Sequence, residues 1–145
     1  MEAQHESRVL DHTRQVEHPG CWVCGPRNET GLRMDFRSVG EGEIRGTFAC
    51  SERFSGYSGC IHGGVVSSLL DGAMTNCLMS QGKVSVTADL LIRFRKPVLV
   101  GRPATITARL LQVRHGLHTV EAELEQDGEL RAEGSGRFLA HPRQH

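Results

Sequence analysis

The sequence predicts an α+β fold in which an antiparallel sheet wraps around one long central helix, in the order β-β-α-β-β-β-β. Three observations carry this. Residues 62–80 have helical periodicity, with apolar residues falling in pairs around almost the whole perimeter. The stretches on either side alternate with period two, the mark of half-buried strands. Near the C-terminus two such stretches are joined by Asp127-Gly128, a two-residue hairpin signal. A helix that is apolar nearly all round is sheltered only by a sheet that curls over it.

Taken in order, residues 1–18 are polar, with Val9, Leu10 and Val16 their only large apolar residues, and read as an arm with one short helix. His18-Pro19-Gly20 stops any helix there, because Pro lacks the N–H and Gly is costly inside one. The main domain is expected over 19–142, a size that suits one hydrophobic core. Leu32, Met34 and Phe36 alternate with Arg33, Asp35 and Arg37 as the first strand. Gly40-Glu41-Gly42 marks a turn, and Ile44, Phe48 and Cys50 continue as the second strand, with Gly46 a candidate bulge. The helix pairs Val65 with Val66, Leu69 with Leu70, Ala73 with Met74 and Cys77 with Leu78, and Gly82 is placed to cap it. Next comes a long strand with Val84, Val86, Ala88, Leu90, Ile92 and Phe94 on one face. Ser85, Thr87, Asp89, Leu91, Arg93 and Arg95 lie on the other. Three more strands are expected near 103–113, 117–126 and 129–140.

Composition narrows the function. Lys and Arg number 17 against 17 Asp and Glu, a formal net charge of zero, and a chain without basic excess is not built for nucleic acid or an anionic membrane. No apolar run exceeds the four residues 21–24, far short of the roughly 20 that span a bilayer. The opening Met1-Glu2-Ala3-Gln4-His5-Glu6 has neither the basic nor the apolar region of a secretion signal. The expectation is a cytoplasmic protein whose five cysteines are reduced thiols.

The chemistry concentrates where the helix begins. Phe54-Ser55-Gly56-Tyr57-Ser58-Gly59-Cys60-Ile61-His62-Gly63-Gly64 holds four glycines and one imidazole. Glycines let a backbone approach a ligand closely, and the first N–H groups of a helix lack intrahelical partners. Those donors, with the positive end of the helix dipole, suit a developing oxyanion; the same glycines also suit a tight loop–helix junction. Asp71 is the second signal. Aspartate is a poor mid-helix residue, and this one borders the apolar stripe, with Ser67 and Thr75 at i−4 and i+4. Partial burial would raise its pKa and make it a better base. His62 and Asp71 are nine residues apart, roughly 13–14 Å along a helix. They cannot serve one substrate atom within a single copy, so a catalytic reading requires an oligomer, most simply a two-fold dimer.

The run His62-Gly63-Gly64-x-x-x-x-Leu69-x-Asp71-x-Ala73 resembles the hotdog-fold acyl-CoA thioesterases of the PaaI/4-hydroxybenzoyl-CoA thioesterase type. Cys21-x-x-Cys24-Gly25-x-x-Asn28-x-x-Gly31-Leu32 is similar to the opening segment of a bacterial branch of that superfamily. Val86-Thr87-Ala88-Asp89-Leu90 and Arg93-Phe94-Arg95-Lys96-Pro97-Val98-x-x-Gly101 are similar to its third strand and the turn after it. The resemblance implies hydrolysis of an acyl-CoA to a carboxylic acid and CoA, by a dimer joined through the third strand or a tetramer made of two such dimers. It implies Asp71 as general base or nucleophile, Gly63 as the amide that polarises the thioester carbonyl, and His62 as the residue that orients the loop. Thr87 falls at a hydroxyl position that places the attacking water in some members. Some relatives carry an Asn six residues before the His, where this chain has Gly56. Strict alternation also turns Thr87 away from the apolar face, so it reaches the site only through a bulge or against a partner subunit.

Substrate binding is expected of Gly64, Tyr57 and Ser58 in the loop, with Phe54, Met74, Leu78 and Met79 as further candidates to line the acyl pocket. Arg93, Arg95 and Lys96, with Arg102, form the densest basic cluster and are candidates for the CoA phosphates; the plainer role is a solvated edge balancing Glu121, Glu123 and Glu125. No cofactor is expected, CoA being part of the substrate, and no metal. A zinc site on Cys21-x-x-Cys24 would need His18, Cys50 or Cys60 to complete it, and packed thiols are the simpler expectation. No Gly-x-Ser-x-Gly elbow is present. The alternative function is a non-catalytic acyl-CoA binding protein, which would have no use for a desolvated Asp71. A dehydratase is disfavoured because no Asp stands five residues before a His.

Overall fold

The computed structural model describes residues 1–141, so the expected domain limit at Pro142 lies outside the described residues. The chain runs α1 (Glu2–Glu17), β1 (Arg37–Gly40), β2 (Glu43–Phe48), α2 (Gly63–Ser80), β3 (Ser85–Phe94), β4 (Ala104–Arg114), β5 (Leu117–Gln126) and β6 (Glu129–Ala140). The six strands form one sheet in the order β1-β2-β4-β5-β6-β3, antiparallel throughout. Helix α2 lies against β2, β3, β4, β5 and β6, which is why nearly its whole circumference is apolar. Leu69, Leu70, Met74 and Leu78 are completely buried, each contributing about 1.5–3 kcal/mol of transfer free energy. Asp127 and Gly128 have φ of +55° and +77°, the left-handed pair that a two-residue hairpin requires. Among the described residues, no helix is long and apolar enough to cross a membrane.

Three local expectations are corrected. Residues 32–36 alternate as expected, with Leu32, Met34 and Phe36 buried, yet they are not a strand. Their backbone bonds go to a turn instead, Leu32 N–H to Trp22 O and Met34 N–H to Val23 O, both at 2.8 Å, and pairing begins only at Arg37. Gly46 is no bulge; it pairs in register with Ile106. A Cβ there would stand 2.8 Å from the Phe36 ring and 3.0 Å from Met34 Cε, so the glycine makes room for that strip. The polar arm is a sixteen-residue helix. It docks through Glu6, Leu10 and Arg14, one face at i, i+4 and i+8. The Glu6 carboxylate accepts from Ser38 Oγ at 3.0 Å and Gln81 Nε2 at 2.7 Å, fastening α1 to β1 and to the end of α2.

Strand β3 positions the site. Thr87 pairs with Phe138 and Asp89 with Arg137, so Ala88 is an extra residue and the strand bulges there. The bulge reverses the alternation upstream: Thr87 joins the helix-facing side, while Leu90, Ile92 and Phe94 keep that side downstream. The β3 edge away from β6 pairs with no other strand among the described residues. It leaves Leu91 at 54% and Phe94 at 58% exposure.

Candidate active site

The loop before α2 is pinned on both flanks. Ile61 N–H donates to Val98 O at 2.8 Å, Val100 N–H to Gly59 O at 2.9 Å and His62 N–H to Phe54 O at 2.9 Å. His62 is the N-cap of α2, and its Nδ1 accepts from Gly64 N–H at 2.8 Å. A backbone N–H only donates, so Nδ1 carries no proton in this arrangement and the neutral ring holds its proton on Nε2. The His62 carbonyl takes the N–H groups of Val65 and Val66 at 2.9 and 3.1 Å. The Gly63 N–H is thereby left as the first-turn donor without a partner among the described residues. Gly63 borders two adjoining clefts of about 420 and 430 Å³, the first shared with Gly56, Tyr57 and His62, the second with Tyr57, Phe94 and Lys96.

Asp71 lies two turns further along α2 and is half-buried. Thr87 Oγ1 donates to its Oδ1 at 2.7 Å, the contact made available by the bulge at Ala88; Oδ2 has no hydrogen-bond partner among the described residues. Burial pushes the Asp71 carboxyl above its ordinary range, and the Thr87 hydroxyl draws it part of the way back. The site thus offers a desolvated carboxylate held at one oxygen with the other free. Separately, it offers an unpaired helix-end N–H beside an apolar cleft. Within one copy they are eight residues apart on the same helix, roughly 12 Å, so a single chain does not bring them onto one bond.

The other expected residues divide. Gly64 has its N–H on His62 and its carbonyl on Ser68 Oγ, leaving its backbone fully engaged. Tyr57 borders both clefts and is 91% exposed, whereas Ser58 borders neither. At Gly56, where some relatives carry Asn, a Cβ would meet His62 Cα at 3.2 Å. A side chain at 56 would therefore crowd the capping His62. Met74, Leu78 and Met79 are sealed in the core and do not line either cleft, which corrects their expected place in an acyl pocket. Arg95 and Lys96 border the second cleft, while Arg93 borders a separate hollow with Glu121, Glu123 and Glu133. The basic cluster is met by acids: Arg95 by Glu133 at 3.3 Å, Lys96 by Glu129, and Arg102 by Asp127 at 2.6 Å. A phosphate would have to compete with those carboxylates. The structure also assembles His18, Cys21 and Cys24 into one cluster, signalled in the sequence by the spacing His-x-x-Cys-x-x-Cys.

Comparison with known proteins agrees with this architecture. Residues 58–133 match the family model described as the thioesterase superfamily. A Saccharolobus solfataricus protein that bears a provisional esterase name is 34% identical over 82 residues, 55% of this chain and 54% of that protein. The chain thus spans about half the length of this curated relative. The E. coli PaaI protein, from the phenylacetic acid degradation operon, superposes with a TM-score of 0.80 at 22% identity, covering 97% of this chain and 96% of that one. A Streptococcus mutans protein bound to acetyl-CoA gives 0.71 at 19%, covering 77% and 91%. At those identities the two structures speak for the fold, a sheet wrapped around its helix.

Proposed function

The chain belongs to the thioesterase superfamily, and on that footing we propose that it hydrolyses acyl-CoA thioesters at sites shared by two subunits. The observation that carries the proposal is the Asp71 carboxylate, desolvated, hydrogen-bonded at one oxygen and free at the other. The S. mutans protein of the same fold was solved with acetyl-CoA, which supports an acyl-CoA as the substrate class. Two copies join through β3, a ten-residue edge strand with exposed Val86, Leu90, Leu91 and Phe94; an uncovered edge of that length and character is a template for pairing. A two-fold axis across that edge sets the α2 helices side by side and brings Asp71 toward the partner subunit's Gly63.

The reaction follows from the roles. The thioester carbonyl oxygen lies against the partner subunit's Gly63 N–H, where the positive end of the helix dipole favours the oxyanion. Asp71 takes a proton from water, and the resulting hydroxide attacks the carbonyl carbon; alternatively the carboxylate attacks directly and water cleaves the anhydride. Collapse of the tetrahedral intermediate breaks the C–S bond, the departing CoA thiolate takes the proton that Asp71 held, and the acid and CoA are released with the carboxylate restored. His62 acts through position, fixing the loop by its cap on Gly64. Tyr57, Arg95 and Lys96 at the cleft are candidates to guide the incoming substrate.

The test is thiol release from short, medium, long-chain and aryl acyl-CoAs. Turnover of at least one supports the proposal, and the preferred chain defines the acyl site. Tight binding of acyl-CoAs without any hydrolysis would make the protein a receptor and overturn it. The acid limb of the pH–rate profile is a second check. The reactive form is the carboxylate, so activity falls as pH drops through the Asp71 pKa, and that limb is expected above the ordinary carboxylate range. Thr87→Val removes the hydroxyl that stabilises the carboxylate. Its limb should move to higher pH, with much of the lost rate regained in alkaline buffer. A uniform loss at every pH would instead mean that Thr87 serves only the fold.

A further inference from the structure

Between α1 and the strip at 32–36, the turn gathers three side chains that the hydrolytic roles leave unused. One ligand atom from each of His18, Cys21 and Cys24 lies within 4.8 Å of the other two, and His18 Nδ1 stands 3.9 Å from Cys24 Sγ. In a tetrahedral Zn²⁺ site, with bonds of about 2.3 Å to sulfur and 2.0 Å to nitrogen, neighbouring ligand atoms stand roughly 3.5–3.8 Å apart. The cluster therefore needs only a small contraction to close on an ion.

The backbone is shaped to present these atoms. Cys21 N–H donates to His18 O at 3.2 Å and Gly25 N–H to Cys21 O at 2.8 Å, so the first residue of the Cys-x-x-Cys segment and the glycine after it are tied into the turn. Gly25 is obligatory, since a Cβ there would lie 2.3 Å from Cys21 N. The turn is also seated on α2. Val23 presses on Gly72, where a Cβ would come within 2.5 Å of Val23 Cγ1. Asn76, one turn further along α2, is fully buried with its Oδ1 unpartnered. Thiols that merely fill space do not require a histidine within 3.9 Å of a sulfur.

We propose that His18, Cys21 and Cys24 bind one thiophilic divalent cation of the Zn²⁺ class, with the fourth position left to solvent. Binding displaces the thiol protons as the Cys21 and Cys24 sulfurs become ligands, so affinity rises with pH. The ion ties the end of α1 to the turn that Val23 seats against Gly72 of α2. The inference stands apart from the thioesterase reading, because its test records metal and not turnover.

The full chain, reduced with a phosphine and freed of metal, is titrated with Co²⁺. Expected are a thiolate-to-cobalt charge-transfer band and the d–d bands of tetrahedral Co²⁺, saturating at one equivalent per chain and erased by one equivalent of Zn²⁺. Cys24→Ser should weaken or abolish the charge-transfer band, and His18→Ala should weaken binding about ten-fold or more. Cys60→Ser, outside the cluster, should leave the spectrum unchanged. The wild-type titration decides the matter even if a variant fails to fold. A folded chain with reduced thiols and no charge-transfer band overturns the proposal. So does a band that survives in His18→Ala and Cys24→Ser but is lost in Cys60→Ser, or a Cys21–Cys24 disulfide that resists the phosphine.

Discussion

Asp71→Asn is expected to lower kcat/KM for the best acyl-CoA by about 10²–10⁴-fold, the scale of a lost general base, with the fold intact. Asparagine keeps the shape and still accepts from Thr87 Oγ1 through its amide oxygen. It can neither take a proton from water nor attack a carbonyl. Because burial disfavours the charged Asp71, the neutral amide removes a desolvation cost, and the melting temperature should hold or rise. That pairing of lost activity with retained stability marks a residue selected for chemistry. A rate within ten-fold of wild type would remove Asp71 from the mechanism.

Gly63→Pro is the matching test of the oxyanion donor, and the local backbone allows it. Gly63 is the first residue of α2, the helical position that proline favours, and its N–H is outside the intrahelical ladder. His62 has φ −57° and ψ 135°, the extended conformation that a residue before proline prefers. A Cβ at 63 meets nothing closer than the Phe94 ring at 3.5 Å. The substitution therefore deletes one N–H and little else. A fall in kcat of about 10²–10³-fold is expected, with unchanged thermal unfolding. Gly63→Ala, which keeps the N–H, should stay within several-fold of wild type. Equal losses in both variants would point to crowding at the cleft instead of a missing hydrogen bond.

How much of this the sequence made legible depends on whether the cause is local. The central helix and the β5–β6 hairpin were readable because the paired apolar residues of 62–80 and the left-handed dipeptide Asp127-Gly128 act within a few residues. Helix α1 was underestimated because two of the three residues on its docking face, Glu6 and Arg14, are charged. Glu6 is met by Ser38 and Gln81 and Arg14 Nη2 by Asp11 and Asp35, partners that hydrophobic periodicity does not register. The strip at 32–36 shows the converse. Its alternation reports which side chains are buried, not whether the backbone pairs with another strand. Thr87 became intelligible only through the bulge at Ala88, a register shift that Val86-Thr87-Ala88-Asp89 does not announce. Asp71 and the helix start stood out in the sequence, yet their separation along α2 meant that the site itself had to be sought between chains.

The most direct test of a site shared between subunits uses the two inactive variants together. Asp71→Asn and Gly63→Pro chains carrying different affinity tags are exchanged, and mixed dimers are isolated on both tags. Each mixed dimer has one site with both lesions and one with neither, so it should recover about half the wild-type rate per dimer. Mixed dimers as inactive as their parents would contradict a site built from Asp71 of one subunit and Gly63 of the other.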